Sequence, residues 1–95
     1  MTGIMAFQYI KVEWIHDHPD EPVVLYSELD EDRWEVRKVE FYADGKLDGA
    51  DAERSSGTTR LGELPVPPLN ELTNEFVPQV IDAAEFERIW MMANK

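Results

Sequence analysis

Two histidines one residue apart, in WIHDHPDEP at residues 14–22, are the only imidazoles in the chain. Acids crowd them: Asp17 lies between, and Asp20 and Glu21 follow. On a continuing strand His16 and His18 would project to one side, and with Asp20 they would offer three donors for zinc or nickel. Pro19 comes directly after, however, so the strand is expected to end there and the shared projection is lost. The spacing shows neither a fourth ligand nor an ordering partner. The segment is read as a polar strand end, and no metal or other cofactor is expected.

Catalytic groupings are equally poorly supported. Ser27 could serve as a nucleophile only if a histidine and an acid were poised against it, and no elbow glycines surround any serine. Twenty acids make some close carboxylate pair inevitable, so a pair alone carries no meaning. GTTRLG has neither the spacing nor the lysine of a phosphate-cradling loop. No catalytic residue is assigned, and the chain is expected not to be an enzyme.

What stands out is charge. The net charge is −11, and residues 16–35 concentrate it: Asp17, Asp20, Glu21, Glu28, Asp30, Glu31, Asp32 and Glu35 face a single base, Arg33. Such a field repels nucleic acid and anionic membrane and speeds the approach of cationic proteins. Trp34 directly follows the acidic turn DEDR, and Tyr26 lies within the same stretch. Either ring could be the desolvated anchor of an interface. The expected binding surface is therefore Asp17, Asp20, Glu21, Tyr26, Glu28, Asp30, Glu31, Asp32, Trp34 and Glu35. Acidity that only confers solubility is the plainer alternative. The Arg37-Lys38 pair is expected to be neutralised across strands by Glu13, Glu28 or Glu35, each pair worth roughly 0.2–1 kcal/mol.

The elements that must position these groups follow from periodicity. YIKVEWIH (9–16) alternates Ile10, Val12 and Trp14 with Lys11 and Glu13, the pattern of a half-buried strand. VVLYSEL (23–29) is a second strand rich in β-formers. WEVRKVEFYA (34–43) is a third, whose apolar parity changes at Arg37 and Lys38 and so predicts a bulge. Asp44-Gly45 suits a type I′ hairpin leading to a weak fourth strand in KLDGADAE. RSSGTTR is a loop, LGELPVPPLNEL passes from extended chain to a short helical turn, and FVPQVI is an extended edge segment limited by Pro78. In DAAEFERIWMMANK, Asp82 and Glu85 form a capping box, while Phe86, Ile89, Trp90 and Ala93 share one face.

The predicted fold is α+β: an antiparallel meander sheet of about four strands with a C-terminal helix packed on one face through Phe86, Ile89 and Trp90. Ninety-five residues make one domain, 1–95, burying roughly 60–65% of the surface its unfolded chain exposes, with residues 1–5 a loose end. Apolar residues at 43% argue against disorder despite the charge. The absence of cysteine points to the cytoplasm, and the opening residues read as neither signal peptide nor membrane span.

YIKVEWIH, EPVVLYSELDEDRWEVRKVEFYADGK, LGELPVPPLNEL and EFERIW together resemble an uncharacterised family of small bacterial domains of unknown function, across Tyr9 to Trp90. The resemblance implies membership and carries over no site. By type alone, small acidic cysteine-free proteins are similar to immunity proteins that occlude basic nucleases. The functional expectation is thus a small acidic module that binds a basic protein partner, as an inhibitor or immunity-type protein. The alternatives are a metal-binding or enzymatic domain centred on His16 and His18, and a structural or self-associating domain with no dedicated ligand; oligomeric state is left open.

Overall fold

In the computed structural model, residues 7–53, 59, 61–62 and 65–94 are described. These residues form five strands and one α-helix: β1 (Gln8–Trp14), β2 (Val24–Leu29), β3 (Glu35–Phe41), β4 (Leu47–Ala50), β5 (Phe76–Ile81) and α1 (Ala83–Ala93). A 3₁₀ turn at Leu69–Glu71 interrupts the connection from β4 to β5. Strands run antiparallel in the order β4-β3-β2-β1-β5. The expected meander is β1 to β4. The fifth strand is FVPQVI, which pairs with β1 across the register from Tyr9↔Ile81 to Trp14↔Phe76. The loose end at residues 1–5 and most of the RSSGTTR loop lie outside the described residues.

Each face of the sheet has its own layer. On one face α1 lies over Tyr9, Tyr26, Val39 and Ile81, with Phe86 fully buried and Ile89, Trp90 and Ala93 packed beside it. These are the four helix positions that periodicity selects. The helix starts where the Asp82 carboxylate accepts from the Glu85 amide at 2.8 Å, satisfying one otherwise unpaired N–H. Gly49 of β4 lies where any Cβ would come 3.2 Å from the Trp90 ring, so the small residue admits the helix. The alternating Ile10 and Val12 of β1 point away from α1. They bury with Leu29 under Val66, Leu69, Leu72 and Phe76, so the segment before β5 covers the second face.

The bulge expected in β3 is present, whereas one turn departs from expectation. The parity change in β3 is a true irregularity: Glu28 pairs with Arg37 but Leu29 with Glu35, so Val36 is the extra residue. The β3–β4 hairpin is not type I′. Gly45 (φ 93°) has positive φ and Asp44 does not, Tyr42 N–H donates to Lys46 O, and Gly45 N–H donates to Tyr42 O. This is a three-residue loop closed by a left-handed glycine, longer by one residue than the Asp-Gly pair suggested.

β5 forms one margin of the sheet. Ile15 N–H donates to Glu75 O at 2.7 Å, which fixes the alternation: Val77, Gln79 and Ile81 turn their backbone groups towards β1, whereas Phe76, Pro78 and Val80 turn theirs outward. Pro78 has no N–H, and the Phe76 N–H is taken by Thr73 O. No helix among the described residues is long and apolar enough to cross a membrane.

Candidate functional site

The histidine loop is held by its own backbone. His18 N–H donates to His16 Nδ1 at 2.9 Å, which leaves the His16 proton on Nε2, where it donates to Pro22 O at 2.7 Å. Both ring nitrogens are therefore engaged, and among the described residues no three histidine or acid side chains gather as ligands. His16 acts as a staple that closes residues 16–22. Its ring lies 4.3 Å from that of Trp14 and 5.4 Å from that of His18, and Trp14 in turn stacks on Phe76 at 5.8 Å.

The predicted acidic surface is not one surface. Asp17, Asp20 and Glu21 lie on the β1–β2 loop, whereas Asp30, Glu31, Asp32 and Trp34 lie on the β2–β3 turn at the other end of β2. Six residues of strand separate them, roughly 20 Å. Between the two ends, Tyr26 and Glu28 are buried at 9% and 6% exposure on the face under α1. This corrects their assignment to a binding surface. Tyr26 is a core ring and Glu28 belongs to an internal ion pair.

Hydrogen bonding sorts the remaining acids. Glu28 accepts from Arg37 Nε at 2.6 Å and from Tyr9 OH at 2.9 Å, and Arg37 also bonds Glu87 at 2.6 Å while lying over the Phe86 and Trp90 rings. The carboxylates hold the Arg37 guanidinium above its ordinary range, and Arg37 holds Glu87 below the usual carboxylate range. Glu35 accepts from Ser27 Oγ and from the Gly62 amide, on the face opposite α1. Asp30 closes its own turn, accepting from the Asp32 and Trp34 amides. Glu28, Asp30 and Glu35 are thus committed to the fold. Among the described residues, the side chains of Asp17, Asp20, Glu21, Glu31 and Asp32 are exposed and make no internal hydrogen bond or ion pair.

The β1–β2 end carries a concave surface. An open groove of about 490 Å³ is lined by Trp14, His18, Pro19, Asp20 and Glu21. Trp14 reads from the sequence as a core ring; in the fold it is half-buried and walls the groove. Glu75, unremarkable in sequence, approaches it, with the indole Nε1 at 3.5 Å from a Glu75 oxygen. At the opposite end Trp34 is 42% exposed beside Glu31 and Asp32. A smaller cavity of about 150 Å³ lies under Val66 and Leu72, with Ser27, Glu35 and Lys38 on its wall.

Arg33, the single base of the acidic stretch, is architectural. Its backbone takes a left-handed conformation (φ 67°), and its guanidinium donates to Val66 O, Gln8 Oε1 and Pro67 O at 2.7, 2.6 and 2.9 Å. The sole base in the acidic stretch therefore clasps the covering segment to the sheet. Its signal in sequence is only that it breaks the run of acids.

Residues 8–95 match a family described as a domain of unknown function (DUF6881). No curated protein and no solved structure matches the chain.

Proposed function

The chain belongs to this family of unknown function, and from that premise we propose that it is a small cytoplasmic binding module whose exposed acids engage a cationic protein, as an inhibitor or immunity-type protein does. The observation that carries this reading is the groove: Asp20 and Glu21, free of internal partners, flank an open hollow walled by Trp14 and His18. Uncommitted carboxylates steer a cationic partner, and an aromatic wall supplies area that can be desolvated once it arrives. Acids used only for solubility need no such concavity.

Of the two acidic ends, the groove end is the contact surface, and the Glu31, Asp32 and Trp34 end adds to the long-range field. The test is capture from lysate of the source cell at low and high salt, with the captured protein identified. Asp17, Asp20 and Glu21 are neutralised in one variant, Glu31 and Asp32 in another. A basic protein held at low salt, released at high salt and lost with the first variant supports the proposal. Capture that no neutralisation weakens overturns it.

A further inference from the structure

The groove has a composition that selects one cation over another. Its walls combine an indole, an imidazole and a proline ring with the carboxylates of Asp20 and Glu21. An anion would meet uncompensated negative charge, and a purely apolar group would strip water from carboxylates without replacing it. Cations are left. Among side-chain cations, the planar guanidinium can stack on an aromatic face while its fork pairs with a carboxylate, whereas an ammonium offers a compact, strongly hydrated charge that matches only one wall at a time.

The walls are also set beforehand. Trp14 N–H donates to Val23 O at 2.8 Å, Ile15 N–H to Glu75 O at 2.7 Å and Glu21 N–H to His18 O at 3.3 Å, while His16 staples the loop from inside. Trp14 is further braced by Phe76. Binding here orders little that is not already ordered, which favours a small anchoring side chain over a large remodelled interface. The same end of the sheet carries Asp17, Asp44 and Glu75, so the field around the groove is negative beyond its own lining.

We propose that this groove is an arginine-binding site, in which the guanidinium of an arginine displayed by a protein partner packs against the part of Trp14 that lines the groove and pairs with Asp20 or Glu21. The proposal rests on the reading of the domain as a module for cationic proteins and names the group that the module reads. His16 is a positioning residue that shapes the loop.

The experiment uses the intact chain and capped pentapeptides, Gly-Gly-Arg-Gly-Gly and its lysine and citrulline counterparts, titrated at low salt and followed through indole and backbone amide resonances. The arginine peptide is expected to bind about tenfold more tightly than the lysine peptide, a difference of about 1.4 kcal/mol, and the uncharged citrulline peptide weakest of all. The Trp14 indole signal should move, and the Trp34 signal should stay. Asp20→Asn with Glu21→Gln, both exposed and so tolerated by the fold, should abolish binding, and Trp14→Phe should retain more of the arginine preference than Trp14→Leu. Equal affinity for arginine and lysine, or an unmoved Trp14 indole, overturns the proposal. If the perturbed residues are instead Trp34, Glu31 and Asp32, the arginine groove is wrong while the binding module stands. If neutralising neither end affects a basic protein, both fail.

Discussion

Arg37 grips Glu28 with two nitrogens, Nε at 2.6 Å and Nη2 at 3.1 Å, beneath the C-terminal helix. Glu28 is nearly inaccessible and Arg37 only partly so, whereas Glu87, the third member, is half in solvent. The asymmetry decides what each group is worth. Arg37→Met leaves a buried carboxylate alone and should cost about 3–5 kcal/mol, while Glu87→Gln removes an exposed contact and should cost no more than about 1 kcal/mol. Glu28→Gln combined with Arg37→Met should recover part of the loss, because no buried charge is then left unpaired. Urea unfolding of the four proteins checks the order.

The same cluster makes stability depend on pH at both extremes. Burial, with the Glu28 hydrogen bond and charge adding to it, raises the Tyr9 phenol above its ordinary range, and burial raises Tyr26 as well. A phenol that holds its proton longer when folded contributes stability that is complete below its unfolded pKa, about 10, and lost as pH rises through the folded value. Glu87 works in reverse: held down by Arg37, it contributes stability that is lost as pH falls through its folded value. Absorbance titration of tyrosinate should show Tyr9 and Tyr26 ionising late. Tyr9→Phe should cost about 1 kcal/mol at neutral pH and remove part of the alkaline slope.

Gly49→Ala sets two effects against each other. Alanine restricts the unfolded chain, worth about 0.4–1 kcal/mol in favour of folding. Its Cβ, however, would lie 3.2 Å from the Trp90 ring and 3.6 Å from the Ala93 Cβ, and overpacking of this kind costs about 1–3 kcal/mol. Crowding should win, lowering the melting temperature. Adding Trp90→Phe, which opens space, should reduce the penalty of the alanine.

Arg33 separates side-chain from backbone contributions. Arg33→Ala removes the three hydrogen bonds to Gln8, Val66 and Pro67 and keeps the left-handed strain; Arg33→Gly removes the same bonds and relieves it. Both should be less stable than the natural chain, with the glycine variant better than the alanine variant by about 1 kcal/mol. Hydrogen exchange at the Val66 amide, which donates to Arg33 O, should accelerate in both.

The elements most readable from sequence are those whose signal is local. Phe86, Ile89, Trp90 and Ala93 announce the helix face by spacing alone, and Asp82 its start. The bulge at Val36 shows as a broken parity, though one residue away from Arg37 and Lys38. What the sequence hides is pairing at a distance. Pro78 marks FVPQVI as an extended edge segment, but nothing inside its six residues says that β1 is the strand it joins. The expected acidic surface divides for a related reason: residues adjacent in sequence are not adjacent in space, because β2 carries the two acidic turns to opposite ends and turns Tyr26 and Glu28 inward. The Trp14 groove was hidden because a tryptophan in an alternating strand reads as core whether or not a loop leaves its ring uncovered.

Pro78 has a consequence for the protein in a crowded cell. Val77 and Val80, exposed beside it, belong to the sort of short β-rich segment that seeds fibrils when strands stack in register. Stacking needs a row of donors, and the outward row of β5 offers only the Val80 N–H, since Phe76 is spent on Thr73 and Pro78 has none. One imino acid at the rim therefore leaves this margin, bare valines and all, a single donor with which to recruit a neighbouring strand.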